Sequence, residues 1–280
     1  MEKREKLQEI DIVRAFAITA VLFVHSTSFA TVQMTESGLY GVYNFLNIFF
    51  KVGTTTFIFL SSFVLFYNYY DKPMTAQRIG KFYRNRLLYI IVPYLVFSVF
   101  YYGILWWQRG HAVSWAVLDD FLGKLATGSA YTHLYFVFIS IQFYVLFPLI
   151  LWLFQKYPRL AAWAVVIGIA LQWGFIIMNK LEWRVPNRGS WAPTYFSNYF
   201  LGAWLGMYFD RVKSWLVIAR ENATKGRVAA WIALWAVWIA AGAFHVWMWY
   251  QTRKHGIWFH SQMYDAVWNV PTLATGLVFM

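Results

Sequence analysis

The chain of 280 residues contains no cysteine, which excludes disulfides, thiolate metal ligands and cysteine nucleophiles. Charge is scarce: 13% of residues are charged, against about 25% in a soluble domain. Acidic residues are scarcer still, 12 against 24 Lys and Arg, for a formal charge of +12. There is no Gly-x-Ser-x-Gly element, Gly-rich phosphate loop, His-Glu-x-x-His motif or paired-carboxylate signature. His245, His255 and His260 stand at no metal-site spacing, so no metal is expected. The excess of basic residues does not imply a nucleic-acid partner. Those residues cluster in loops between apolar runs, as topology signals do.

What the chain has in quantity is apolar and aromatic residues, 60% and 22%. That composition predicts an all-α fold, a polytopic helical bundle whose partner is the lipid bilayer, with Trp and Tyr in interfacial belts. Apolar segments long enough to cross occur at about 10–30, 52–70, 87–107, 132–154, 161–178, 194–209 and 228–250, and an eighth starts near Tyr264. Between Tyr40 and Lys51, residues Asn44, Asn47 and Lys51 share helical spacing, and this piece is expected along the membrane interface. Lys3, Arg4 and Lys6 precede a run interrupted by Asp11 and Arg14, which reads as an uncleaved first span. With the N-terminus inside, fifteen Lys and Arg fall in inner segments and seven in outer loops, so a cytoplasmic N-terminus is expected. The last run stops without a polar flank. A single transmembrane domain over 1–280, truncated at its C-terminus, is the simplest division.

The first span carries a row of ionisable groups on one face. In EIDIVRAFAITAVLFVHSTSFA, Glu9 to Ala30, Arg14 and His25 are eleven residues apart. At about 100° per residue that is roughly three turns plus 20°, so both lie on one face, about 16 Å apart along the axis. Asp11, within roughly 40° of the same line, is placed to pair with Arg14. Ionisable side chains within a span are costly and point to function. A neutral His25 imidazole could act as general base toward a hydroxyl. Arg84 and Arg86 suit phosphate oxygens, although on a regular helix they diverge by about 200°. Ordinary basic anchoring is the competing reading. His133, Tyr135 and Gln142, with Tyr144, and the loop residues Glu182, Arg184 and Arg188 are candidates to line an acceptor site; interfacial anchoring is their alternative.

Taken in order, several segments resemble the membrane-bound acyltransferase 3 family of bacterial integral-membrane O-acyltransferases. DIVRAFAITAVLFVH reproduces its Arg/Glu-x10-His motif through Arg14 and His25, and FIFLSSFVLFY is similar to its Phe-rich second-span motif. YRNRLLYIIVPY matches its Arg-x-Arg element, and HLYFVFISIQFYVLFPLI and YFSNYFLGAWLG are similar to later segments. Ser62 stands where the family usually has Gly. The resemblance implies about ten transmembrane helices, of which about eight are present, in a bacterial cytoplasmic membrane. It implies an acyl-CoA donor, acetyl-CoA, on the cytoplasmic side and a hydroxyl of a glycan or other envelope acceptor outside. It makes Arg14 and His25 essential, His25 as base or as acyl carrier, and gives Arg84 and Arg86 to the donor. The alternative is a transporter or flippase using Arg14 and His25 for substrate or proton binding; it would have related halves, and no internal repeat is visible.

Overall fold

A computed structural model of the chain describes residues 7–110, 114–216 and 222–280; Lys3, Arg4, Lys6 and Arg220 of the loop-charge count lie outside them. In chain order the main helices are α1 (Glu9–Thr27), α2 (Tyr40–Phe49), α3 (Gly53–Tyr69), α4 (Ala76–Arg86), α5 (Val92–Gln108), α6 (Trp115–Thr127), α7 (Tyr135–Lys156), α8 (Ala164–Met178), α9 (Phe196–Leu216), α10 (Lys225–His255) and α11 (Ser261–Val278). No strand occurs among the described residues. Local chemistry marks the ends. Thr75 and Thr224 precede α4 and α10, where their side chains accept from the Arg78 and Arg227 amides. Gly128 and Gly256 close α6 and α10 at φ 70° and 68°, a region costly for other residues.

Among the described residues, six helical stretches are long and apolar enough to cross a membrane: Glu9–Gln33, Tyr40–Tyr69, Ala76–Gln108, Tyr135–Lys156, Ala164–Trp183 and Lys225–His255. The protein is an all-α polytopic membrane bundle. α9 and α11, expected as further spans, are helical but fall outside these six. Much of α9 from Ser197 to Phe209 is buried, so its composition answers to protein neighbours more than to lipid. Tyr40–Tyr69 is one stretch joined through a short 3-10 turn, Phe50–Val52.

The chain forms two compact units, Met1–Asn68 with Ser197–Met280, and Tyr69–Phe196. In the first, α3 and α9 cross at very short range. A Cβ on Gly202 would lie 2.3 Å from the Phe59 carbonyl oxygen, and one on Gly206 2.5 Å from that of Phe63. Two small residues four apart let the backbones meet, the common device of membrane helix pairs. Ser62, in place of the family's usual Gly, is fully buried in this contact and its hydroxyl donates to the Tyr199 carbonyl at 2.6 Å. α1 lies close to the start of α3, where Gly53 faces the Ala17 carbonyl. α10 and α11 are tied by Trp238 Nε1 donating to Thr275 Oγ1 at 2.8 Å.

In the second unit α4 runs into α5 through a π-helical turn, Leu87–Ile91. Pro93 explains it. The residue has no amide hydrogen for the Tyr89 carbonyl and its ring crowds that oxygen, and a widened turn relieves the conflict. Phe82, Tyr69 and Phe147 form an aromatic cluster between α4 and α7. Gln155 Nε2 donates to the Tyr70 and Lys72 carbonyls at 2.7 and 2.9 Å, fixing the approach to α4. α6 is held on α5 by Tyr102, whose one hydroxyl proton is shared between the Val117 carbonyl at 3.0 Å and the Asp120 carboxylate at 2.8 Å.

Candidate active site

α1 is unbroken from Glu9 to Thr27, so the helical relation of Arg14 and His25 holds. The buried side of α1 carries Ile10, Val13, Ala17, Ala20 and Thr27, whereas Arg14 and His25 are both exposed on one flank. Arg14 Nη1 meets Asp11 Oδ1 at 3.0 Å with each side chain about half exposed. This pair restricts the guanidinium and, at that exposure, contributes at most about 1 kcal/mol. The arrangement leaves an oriented cation and an imidazole on one accessible line.

The turn carrying His25 is secured from behind. Val24, the preceding residue, has its carbonyl bonded by Ser28 Oγ at 2.6 Å and by Asn47 Nδ2 at 3.0 Å. Asn47 is in turn gripped by Arg253 from α10, whose Nη1 and Nη2 both donate to Asn47 Oδ1 at 3.2 Å. Arg253 also donates to Asn44 Oδ1 at 3.3 Å, and Asn44 Nδ2 donates to the Val246 carbonyl at 3.0 Å. The expectation that Asn44 and Asn47 lie along the interface is therefore corrected: they are 0% and 2% exposed, clamped between α1 and α10. Arg253 and Lys51 each lie 4.9 Å from the Trp249 ring centre, a favourable cation–π distance. Trp249 Nε1 donates to His245 Nε2 at 3.0 Å, so that nitrogen is unprotonated. Asn47→Ala takes one partner each from the half-buried Arg253 guanidinium and the Val24 carbonyl. It should cost about 1–2 kcal/mol and lower the midpoint of thermal unfolding in detergent; an unchanged midpoint would remove the clamp.

In the second unit the two arginines are not brought together. Arg84 is exposed, whereas Arg86 is partly buried with its guanidinium 4.6 Å from the Tyr144 ring and 5.2 Å from that of Phe82. Arg86 Nε is buried and has no hydrogen-bond partner. The His133 ring packs against Tyr101 and Tyr131, with centroids 5.1 and 5.2 Å away. Tyr135 lines a cavity of about 510 Å³ together with Ser129, Asn187, Ser190 and Tyr195. Gln142 does not line this cavity but braces the loop that does: its Nε2 donates to the Ser190 carbonyl at 2.9 Å and its Oε1 accepts from the Ala192 amide at 3.0 Å. With both ends so engaged, Gln142 shapes the loop beside the cavity. Burial, with Tyr135 adding to it, pushes the Tyr195 phenol up, so it stays protonated and donates to the Gly189 carbonyl at 2.7 Å.

A family model described as an acyltransferase domain, acyltransferase 3, matches residues 7–280. The chain belongs to the acyltransferase 3 family. Comparison with curated proteins gives no match, and comparison with solved structures gives none either. The expectation of an acyltransferase in a membrane is met by this membership and by the six apolar helices. Among the described residues of this acyltransferase, no group of three or more His, Asp or Glu is placed to hold a metal ion.

The His245–Trp249–Arg253 stripe escaped sequence reading, although its signal is present. These residues repeat every four positions along α10, and Asn44, Asn47 and Lys51 follow at spacings of three and four along α2 and its 3-10 extension. A polar stripe on an apolar helix marks a surface turned away from lipid. What spacing does not supply is that the two stripes face each other.

Proposed function

We propose that this acyltransferase moves an acyl group, acetyl, from acyl-CoA at the cytoplasmic side to a hydroxyl of an extracytoplasmic glycan or other envelope acceptor. One observation carries the proposal most. The exposed flank of α1 holds Arg14 and His25 about three turns apart on an unbroken helix, within a chain that matches the acyltransferase family from residue 7 to 280.

The chemistry assigned to His25 is general base catalysis. The acceptor oxygen attacks the thioester carbonyl, and the new C–O bond forms as the hydroxyl proton passes to the imidazole. The C–S bond then breaks, and the thiolate leaves with the electron pair and takes that proton. To the anionic donor we assign Arg14, Arg84 and Arg86. Tyr135 is assigned to the acceptor, with His133 and Gln142 shaping its surroundings. Arg86 is the better preorganised of its pair, because two aromatic rings already fix its plane.

The donor assignment is tested by kinetics in membranes. Arg86→Ala should raise the KM for acetyl-CoA about tenfold, equivalent to about 1.4 kcal/mol of binding, and leave kcat close to wild type. Arg86→Lys should recover only part, since an ammonium does not reproduce a planar fork. A wild-type KM in Arg86→Ala would take this residue out of the donor site.

A further inference from the structure

His25 stands where α1 gives out. The last four carbonyls of a helix have no partner in its own ladder, and with α1 ending at Thr27 these belong to Val24, His25, Ser26 and Thr27. The Ser28 amide, which a continuing α-helix would direct at Val24, turns instead to the His25 carbonyl at 3.4 Å, beyond the usual range. The Val24 carbonyl is taken up by side chains, Ser28 Oγ at 2.6 Å and Asn47 Nδ2 at 3.0 Å. Ser28 belongs to the same piece of chain and moves with it. Asn47 belongs to α2 and ties the loosened turn to a second helix.

Asn47 is held at its other end as well. Its Oδ1 accepts from Nη1 and Nη2 of Arg253, both at 3.2 Å, so one carboxamide points its acceptor at α10 and its donor at α1. Rotating it would break one contact or the other. Arg253 lies in the last turn of α10 and rests 4.9 Å from the Trp249 ring centre, which fixes the plane of its guanidinium. Its partners are neutral, two carboxamide oxygens and an indole. A charge held that way near the end of an apolar span is costly and points to function. Lys254 gives the contrast. Its Nζ bonds the Thr35 carbonyl and Glu36, in the connection between α1 and α2, and not the turn that carries His25.

We propose that Arg253 is a positioning residue for His25, acting through Asn47 on the Val24 carbonyl to fix the turn that carries the imidazole. The inference rests on the reading of His25 as the base. A base must meet the hydroxyl proton within hydrogen-bond reach, and a misplacement of about 1 Å can cost about a hundredfold in rate. A turn whose ladder has opened allows shifts of that size. The Arg253–Asn47 bonds remove them, so a residue in the last turn of α10 sets how well α1 presents its histidine.

The test compares Arg253→Met, Asn47→Asp and Lys254→Met in the full chain. Two quantities are read: the rate of acetyl transfer from radiolabelled acetyl-CoA to the envelope fraction of native membranes, per folded enzyme, and hydrogen exchange of residues 21–28 in lipid nanodiscs. Asn47→Asp separates positioning from folding. Its carboxylate keeps the acceptor for Arg253, as a stronger charge-assisted pair, but has no hydrogen to give the Val24 carbonyl. Arg253→Met and Asn47→Asp should each lower the maximal rate about tenfold or more, leave the KM for acetyl-CoA within about twofold, and speed exchange over 21–28. Their combination should add little further loss, since the two act through one another. Lys254→Met should keep wild-type rate and exchange. A wild-type rate in Asn47→Asp would overturn the proposal, as would a loss carried by KM or an equal loss in Lys254→Met. Exchange needs no substrate, so a wild-type chain that transfers no acyl group faults the reading of His25 as base, whereas unchanged exchange in Arg253→Met faults the relay.

Discussion

Replacing His25 by Ala is expected to lower acyl transfer about a thousandfold, in the range by which positioned general bases act. Expression and thermal stability should remain at wild-type values. The separation of the two effects follows from the structure. His25 is exposed, and the bonds securing its turn run through the Val24 carbonyl, Thr27 and Ser28, none of which involves the imidazole. Exposed substitutions away from such bonds usually change stability by less than about 0.5 kcal/mol. Arg14→Ala tests the same line from its other end and should lose activity without loss of fold, since its bond to Asp11 is a half-exposed pair. Transfer at wild-type rate in His25→Ala would end the proposed role. Acetyl label retained on the wild-type protein but missing from His25→Ala would instead make the imidazole a carrier.

Gly206→Leu is expected to abolish folding of the first unit. A Cβ at this position already falls 2.5 Å from the Phe63 carbonyl oxygen and 2.9 Å from the Tyr67 amide nitrogen. Both are backbone atoms of α3, so no side-chain rotation relieves the clash, and the helices must separate. Overpacking costs about 1–3 kcal/mol where side chains can yield; here the loss should exceed that and appear as lost expression or a broad early elution in detergent. Gly226→Leu is the control, because a Cβ there meets nothing within 4 Å. Gly206→Leu protein that purifies with a wild-type midpoint would mean that α3 and α9 do not cross as described.

Relations within one helix are legible in a single sequence. The relation of Arg14 to His25 depends only on helix periodicity, and α1 preserves it without a break. The close crossing at Gly202 and Gly206 comes from the structure, where Ser62 in place of Gly is absorbed by one hydrogen bond to Tyr199. Tertiary partners are another matter. Helical spacing alone puts Asn44 and Asn47 on one face of the piece before the span; their burial depends on Val246 and Arg253, some two hundred positions later. Arg84 and Arg86 differ in burial because Tyr144, on another helix, captures only Arg86. The packing of α6 on α5 rests on Tyr102 meeting Val117 and Asp120, and no motif announces that contact.

The central claim is that an acyl group crosses from a donor on one side of the membrane to an acceptor on the other. Sealed inside-out vesicles containing the protein, given radiolabelled acetyl-CoA in the external medium, test it most directly. The account predicts acetyl label in ester linkage on a glycan or other envelope hydroxyl inside the vesicle, present with wild type and absent with His25→Ala. Label that never becomes covalently attached to an acceptor, while an envelope precursor accumulates across the membrane, would contradict it and favour transport.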